Sequence, residues 1–268
     1  MKTVLFFMMV VLPVATLSAD GEFDEYFKPP GVKLSESFQT AHGFSVNVPP
    51  GWVRIPDDVL DEFEKNVASL MPNVKKQTYD YGFQLGPVDK WFTYPYILIH
   101  VNEAGRIPSG QLESAPRINR DLHKGLKRAE TELKSMVSNI EMNKTYYDAR
   151  RHILWTQIGA NVAEVGPVRG LMAAVLTQRG VIQISSYATA AEFDRYAPLF
   201  EQISREISII EELRYKPQAG DSPPPRSGID WNRVMNKGMA GAVIGAIGGL
   251  LFWVFKKKTP DIPNTYNM

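Results

Sequence analysis

The apolar positions between residues 35 and 213 follow two periods, one typical of strands and one typical of helices. Residues 42–48 alternate between apolar and polar positions, and the turn Pro49-Pro50-Gly51 follows them. Extension then resumes over residues 52–55. This part of the chain therefore predicts two short strands before the first helix.

A helix is predicted to begin near Asp57 and to end at Pro72. Asp57 can cap this helix, and the further carboxylates in its first turns favour a helix N-terminus. Strands are predicted after it at 77–85 and 92–101, and the second of them is very apolar. The apolar face of the helix comprises Val59, Leu60, Phe63, Val67, Leu70 and Met71.

A longer helix is predicted after Pro108-Ser109, because apolar positions recur there at spacings of three and four. Arginine, lysine and glutamate fill many of its other positions. Four strands are predicted to follow, at 138–147, 151–160, 166–178 and 180–188. The apolar positions of this helix are Ile118, Leu122, Leu126, Ala129, Leu133, Met136 and Val137.

The last predicted helix opens on Thr189-Ala190-Ala191-Glu192, which has the spacing of a capping box. Phe193, Phe200, Ile203 and Ile207 continue its apolar face, and Pro198 is expected to kink or restart it. The element order is β-β-α-β-β-α-β-β-β-β-α, with turns of hairpin length between strands. We therefore predict an α+β fold, a mainly antiparallel sheet packed with three helices.

A second apolar pattern lies near the C-terminus, where residues 238–255 carry no charge. As a helix this run would cover about 27 Å, close to the roughly 30 Å of a bilayer's hydrocarbon core. A buried helix in a soluble domain is the alternative, but its glycines would destabilise it in water. We therefore predict a single transmembrane helix over 234–255.

Glycines are regularly spaced within this run. Gly241, Gly245 and Gly249 form GxxxGxxxG and would share one helix face. Such a face lets a second helix approach closely, so these residues are candidate helix-packing positions for a homo-oligomer or another membrane protein. The alternative is that glycine is simply common in membrane helices.

The charges around the run predict its orientation. Lys256, Lys257 and Lys258 flank the membrane on one side, and positive residues next to a span stay in the cytoplasm. The tail 256–268 is therefore predicted to be cytoplasmic. The main domain, 35–213, is predicted to lie on the periplasmic or extracellular side of a cell (inner) membrane, crossed once.

The N-terminus supports the same topology. Residues 1–19 have the order of a secretory signal peptide, with one lysine, an apolar run and small residues. Cleavage after Ser18 instead of Ala19, or an uncleaved signal anchor, are the alternatives. Residues 20–34 read as an extended leader, and the Pro-rich stretch 214–233 reads as a linker between the domain and the membrane.

Two sequence segments of the domain resemble those of a known family. They are GFSVNVPPGW, which begins at Gly43, and FEQISREISII, which begins at Phe200. Together with the strand meander between them, they resemble the PsbP/Mog1-like fold over residues 38–213. The resemblance implies a non-enzymatic binding or assembly module, and it supplies no catalytic residue.

Composition removes several kinds of chemistry. The chain has no cysteine, which excludes disulfides, thiolate metal sites and cysteine nucleophiles. Its net charge of +1 argues against a nucleic-acid partner. The four histidines show no metal-binding spacing, and no catalytic motif or cofactor motif is recognisable. We therefore predict no catalytic residue, no metal and no cofactor.

One aromatic cluster stands out in the predicted strand 92–101 and the residue before it. Trp91, Phe92, Tyr94 and Tyr96 surround Pro95. These side chains could line a ligand cleft. Core packing beside an edge strand interrupted by proline explains them equally well.

The sequence therefore favours a membrane-anchored extracytoplasmic binding or assembly domain that is not an enzyme. Its expected partners are membrane lipid and, through the glycine face, another copy or another membrane protein. An extracytoplasmic hydrolase whose site the sequence does not reveal is one alternative. The other is an oligomeric membrane protein that assembles through the glycine-rich helix.

Overall fold

The computed structural model of the chain describes residues 33–70, 78–88, 90–111, 120, 122–124, 126–127, 130–131, 133–143, 145–218, 221 and 244–246. The predicted signal peptide and cytoplasmic tail lie outside these residues, as does all of the predicted span except 244–246. No helix in the described part of the chain is long and apolar enough to cross a membrane.

The strands and helices alternate in an order close to the predicted one. The strands are β1 (Glu36–Gln39), β2 (Phe44–Val48), β3 (Trp52–Arg54), β4 (Tyr81–Leu85), β5 (Tyr96–Asn102), β6 (Val137–Met142), β7 (Tyr146–Asp148), β8 (Ile153–Val162), β9 (Gly166–Leu176), β10 (Val181–Thr189) and β11 (Ser208–Ile209). The helices are α1 (Asp57–Leu70), the short 3₁₀ helix Ser109–Gln111 and α2 (Phe193–Arg205).

These strands form two antiparallel sheets. The larger one has eight strands, with the order β3-β4-β5-β10-β9-β8-β6 and β7 paired to β8. The smaller one has the order β1-β2-β11. The prediction of a mainly antiparallel α+β fold is confirmed, whereas β1 and β11 were not predicted.

Strand β5 lies inside the larger sheet, between β4 and β10, and both of its faces are covered. Its sequence is accordingly an apolar run rather than an alternation. Tyr96 and Leu98 belong to one core cluster, while Ile97 and Ile99 belong to the other. We call the first side of the sheet the α1 face and the second side the α2 face, after the helices that cover them.

The α1 face is covered by α1 and by the helical residues found between 120 and 131. Leu60, Phe63 and Val67 of α1 are buried there, as their spacing predicted. Leu122 and Leu126, from the predicted second helix, are buried in the same cluster. The amphipathic pattern therefore placed both helical segments correctly against the sheet.

The α2 face is covered by α2 together with the smaller sheet. Phe193, Phe200 and Ile203 of α2 are buried there, beside Phe44 of β2. The ring of Trp52 meets that of Phe200 edge-on, with centroids 6.4 Å apart. Helix α2 continues through Pro198 without a break.

The beginnings of the helices differ from the predictions. Asp57 is the first residue of α1, and its carboxylate binds Arg54 at 2.6 Å instead of capping the helix. The Thr189 hydroxyl donates to the Glu192 carboxylate at 3.1 Å, so the predicted capping box does not form. In both cases a neighbouring side chain takes the capping group away from the backbone.

The predicted strand 138–147 is divided into β6 and β7. The register of β6 on β8 shifts between Ser138 and Glu141. Asn139 lies at this bulge with a φ of 51°, a left-handed conformation that asparagine adopts more readily than most residues. The bulge is invisible to a pattern of alternating side chains, because it breaks that pattern.

Candidate functional site

Tyrosine side chains gather on the α1 face. Tyr96 begins β5, and Tyr187 of β10 lies directly opposite it in the sheet. Tyr94 precedes β5 by two residues, and Tyr79 precedes β4 by two residues. We call these four residues the tyrosine site.

Ring contacts fix the orientation of these side chains. The Tyr96 ring lies 5.0 Å from that of Tyr94 and 5.3 Å from that of Tyr187, measured between centroids. Phe92 meets Tyr96 edge-on at 5.9 Å, and Phe63 of α1 lies 4.6 Å from Phe92. Because each ring has a neighbour on the core side, the hydroxyl groups have little freedom in where they point.

The hydroxyl groups of two tyrosines bind the backbone of a distant segment. Residues 244–246 are helical, and Ile244 and Ala246 belong to the core cluster of the α1 face. The Tyr94 hydroxyl donates to the carbonyl of Ala246, and the Tyr96 hydroxyl donates to the carbonyl of Gly245. A buried tyrosine hydroxyl needs an acceptor, and here a helix backbone supplies it.

Gly245 lies directly against Tyr187. A Cβ atom at this position would be 2.8 Å from Cζ of Tyr187, and closer still to its hydroxyl oxygen. Gly170 lies beside the same ring, where a Cβ would be 3.0 Å from Cδ1 of Tyr187. The Tyr187 ring is thus held between two glycines, and this geometry has no room for a side chain at position 245.

Burial sets the protonation of the site. It raises the pKa of each tyrosine of the site above its usual value. The pKa of Tyr79 is raised further by Tyr187 and by the Glu64 carboxylate, which accepts the backbone N–H of Tyr79 at 2.7 Å. All four phenols are therefore neutral at physiological pH, and they act as hydrogen-bond donors rather than as bases or nucleophiles.

A second contact ties the predicted linker to the domain. The guanidinium of Arg106 binds Asp221 through both terminal nitrogens, with Nη1 2.9 Å from Oδ1. It also donates to the carbonyl of Lys216 at 3.0 Å and lies 4.9 Å from the centre of the Tyr215 ring. We call Arg106, Tyr215, Lys216 and Asp221 the latch.

The latch belongs to the α1 face and stays ionised. Tyr215 is buried in the core cluster of this face, and its hydroxyl donates to the carbonyl of Ile107 at 2.6 Å. The hydrogen bond from Arg106 lowers the pKa of Asp221 to about 2. The ion pair is therefore intact at neutral pH, and it fixes the chain at the beginning of the linker.

Three of the histidines contact polar groups of other side chains. Nδ1 of His42 lies 2.8 Å from the Tyr81 hydroxyl, and Nδ1 of His152 lies 3.0 Å from the Tyr147 hydroxyl. Nδ1 of His100 lies 3.4 Å from Oδ2 of Asp80. Across the described residues, no three histidine, cysteine or acidic side chains form a group that could hold a metal ion.

The structure describes one of the predicted site residues. Gly245 contacts Tyr187 of the same chain. Gly241, Gly249 and the lysines 256–258 lie outside the described residues, so helix packing between copies and membrane flanking stay predictions. Of the predicted aromatic cluster, Tyr94 and Tyr96 do contact a peptide segment, and Phe92 belongs to the core.

Sequence reasoning missed Tyr79 and Tyr187. Tyr187 is buried, and its neighbours along β10 are apolar or small. A buried tyrosine hydroxyl usually has a hydrogen-bond acceptor, so the sequence indicates that an acceptor lies nearby in the fold. That signal says that an acceptor exists without saying where along the chain it lies. Tyr187 meets Gly245, a residue far along the chain from β10, and no local pattern encodes this contact.

Comparisons with known proteins found similarity among solved structures. No protein-family model matches the chain, and neither does any curated protein. Among solved structures, the chain is similar to the solution structure of cyanobacterial PsbP (CyanoP) from Synechocystis sp. PCC 6803. The two share 11% sequence identity and a TM-score of 0.38, over 65% of this chain and 91% of that chain. The PsbP name of this solved structure is also the one that the sequence resemblance gave.

Proposed function

We propose that this protein is a membrane-anchored, extracytoplasmic binding or assembly domain without catalytic activity. The observation that carries the binding part of this proposal is the pair of hydrogen bonds from Tyr94 and Tyr96 to the backbone of residues 245 and 246. These bonds recognise a helix through groups that every helix possesses. Recognition of this kind is the work of a binding module.

The chemistry of the site supports binding rather than turnover. Its phenols are buried and neutral, and their rings are fixed by neighbouring aromatic side chains. Ile244 and Ala246 are buried beside these phenols, with 1% and 2% of their surface exposed. A site of this type suits an apolar segment that offers backbone carbonyls, since both the apolar contact and the donors are then used.

The membrane anchor is supported by the sequence. The uncharged run 238–255, followed by three lysines, has the length and flanks of a spanning helix. Residues 1–19 have the order of a signal peptide and would place the domain on the far side of the membrane. The proposed lipid partner and location follow from these two segments.

Alkaline carbonate extraction tests the anchor. The wild-type chain is expected to stay with the membrane pellet, whereas Ile247→Arg, a change near the centre of the run, is expected to move a large part of it into the supernatant. The reason is that arginine near the centre of a span costs about 2.5–3.5 kcal/mol. Glu212→Arg is the matched control, because it adds an arginine at an exposed position outside the run. Release of the wild-type chain by carbonate would contradict the proposed anchor.

Protease treatment of spheroplasts tests the side. A protease added from outside is expected to digest the domain and to leave a fragment that contains the run and the tail. Lysis of the spheroplasts should then expose the tail as well. Protection of the domain until lysis would place it in the cytoplasm and overturn the proposed location.

A further inference from the structure

Residues 244–246 occupy a position that a membrane-inserted run could not reach. If residues 238–255 spanned a bilayer, residues 244–246 would lie about 9–12 Å beyond the first end of the run. That depth is well inside a hydrocarbon core of roughly 30 Å. In the structure the same residues lie in the core of the domain, hydrogen-bonded to Tyr94 and Tyr96. The two placements exclude each other.

We propose that the tyrosine site is a docking site for the apolar run 238–255 of this same chain, and that it competes with the bilayer for that run. The competition rests on the proposed membrane anchor, whereas the docking itself does not. In the docked state the site covers part of the apolar surface of the run and donates hydrogen bonds to its backbone carbonyls. In the inserted state the site is open, and its donors are available to another apolar helix.

Gly245 makes the docking selective. In the docked state any Cβ at this position overlaps Tyr187, as the 2.8 Å approach to Cζ shows. In a bilayer an alanine at the same position costs little, since lipid tails adapt to small side chains. The site therefore fits an apolar helix only if that helix has glycine at the position that faces Tyr187. A single methyl group at position 245 should favour the inserted state.

The latch keeps the run close to the site. Arg106 and Asp221 hold the chain on the α1 face, which is also the face that receives residues 244–246. Residues 222–243 connect the two contacts, so docking is an intramolecular step at high effective concentration. This arrangement favours the chain's own run over the run of a second copy.

Nitration of tyrosine by tetranitromethane, read residue by residue by mass spectrometry, tests the docking in the full-length, lipid-free chain. The reagent attacks the ring carbon beside the hydroxyl, and in Tyr94 and Tyr96 that hydroxyl is bound to the run. Tyr146 is 46% exposed and serves as the internal reference. We expect Tyr146 to be nitrated and Tyr94 and Tyr96 to be protected. Equal nitration of all three would overturn the docking.

Variants of the contact sharpen this test. Gly245→Ala is expected to raise nitration of Tyr94 and Tyr96 about tenfold, the change that corresponds to 1.4 kcal/mol of lost docking. Gly159→Ala is the matched control, because a Cβ there meets nothing within 4 Å. Adding Tyr187→Phe to Gly245→Ala removes the hydroxyl that overlaps the methyl group and should restore part of the protection. Unchanged nitration in Gly245→Ala would contradict the assignment of Gly245.

Two further arms identify the occupant and the competitor. Protection should persist on dilution, and protection that falls on dilution would assign the occupant to a second copy instead of this chain. Vesicles of phosphatidylcholine and phosphatidylglycerol should raise nitration of Tyr94 and Tyr96 while leaving Tyr146 unchanged. A chain that floats with the vesicles but keeps these tyrosines protected would overturn the competition. A chain that does not float contradicts the anchor and with it the competition, whereas the protection measured without lipid reports the docking alone.

Discussion

The two faces of the large sheet are closed in different ways. On the α2 face the cover comes from α2 and the smaller sheet, whose contacts are dominated by aromatic and branched aliphatic side chains. On the α1 face, α1 and the helical residues near 122–126 leave room for the tyrosine site, which is covered by residues 244–246. One face is closed by elements of the domain itself, and the other is completed by a segment from beyond it.

This difference is chemical as well as topological. Phe200 and Ile203 need only exclusion from water, which any well-fitted apolar neighbour provides. Tyr94 and Tyr96 also need acceptors, and a distant backbone supplies them. Water could replace those acceptors at little cost, so the cover of the α1 face is exchangeable in a way that the cover of the α2 face is not.

The largest effect is expected on the α2 face. Phe200→Ala removes a fully buried side chain of α2, whose ring contacts the rings of Trp52 and Phe193. Removing a buried phenylalanine typically lowers the free energy of unfolding by about 3–5 kcal/mol. Urea unfolding followed by circular dichroism measures the change, and the exposed Tyr146→Ala serves as the control. A loss below about 1 kcal/mol would mean that this face is not the main source of stability.

The α1 face should respond more weakly, and only while it is covered. Tyr96→Phe removes a hydrogen bond to Gly245 and should lower the free energy of unfolding of the full chain by about 1 kcal/mol. In a Gly245→Ala background the same substitution should cost almost nothing, because the acceptor has already left. The coupling between the two changes is read from a double-mutant cycle. Additive effects would show that Tyr96 and position 245 do not interact.

Much of the α2 face could be predicted from the sequence. Phe193, Phe200 and Ile203 follow a helical spacing, and the alternation in β2 was visible next to a clear turn. In both cases the signal is local, because one element's own periodicity shows which side is buried. The other two strands of the smaller sheet, β1 and β11, were not predicted, and β11 with its two residues is too short to show a period.

The candidate site could be predicted only in part. The sequence marks Tyr94 and Tyr96 as part of an aromatic group, and this group fits a ligand cleft and core packing equally well. In the structure their rings pack in the core and their hydroxyls bind residues 245 and 246, and the strand that Tyr96 begins, β5, lies inside the sheet rather than at its edge. The run that contains these residues reads as a membrane helix because a hydropathy pattern records only that a segment avoids water. It does not record whether lipid or protein buries the segment.

The latch gives a smaller, pH-dependent effect. Asp221→Asn removes the charge that Arg106 binds and should free the beginning of the linker, so that a protease cleaves near residues 214–218 several times faster. The folded-state pKa of Asp221 is lowered to about 2 from an ordinary value of 3.8. Its contribution is therefore complete above about pH 4 and is lost as the pH falls through about 2.

Limited proteolysis with pepsin checks this sign, since pepsin is active across that range. Cleavage of the wild-type linker should accelerate between about pH 4 and pH 2, and that acceleration should be absent in Asp221→Asn. The variant should also retain nitration protection of Tyr96 in part, because Tyr94 and Tyr96 still hold residues 245 and 246. A latch that opens already at pH 6 would mean that Arg106 does not stabilise the Asp221 carboxylate.

The smallest effect is expected from a charge on the outside of the α2 face. Arg169 binds Asp194 at 2.7 Å, but the Asp194 side chain is 84% exposed. Exposed ion pairs contribute roughly 0–1 kcal/mol, so Asp194→Asn should change the free energy of unfolding by less than about 0.5 kcal/mol. Arg169→Ala should cost more, because the guanidinium also lies 4.3 Å from the centre of the Phe193 ring and covers it. Urea unfolding in low and high salt separates the two contributions, since salt screens the ion pair and leaves the ring contact largely unchanged. If Asp194→Asn proved as costly as Arg169→Ala, charge rather than apolar cover would help to hold this face closed.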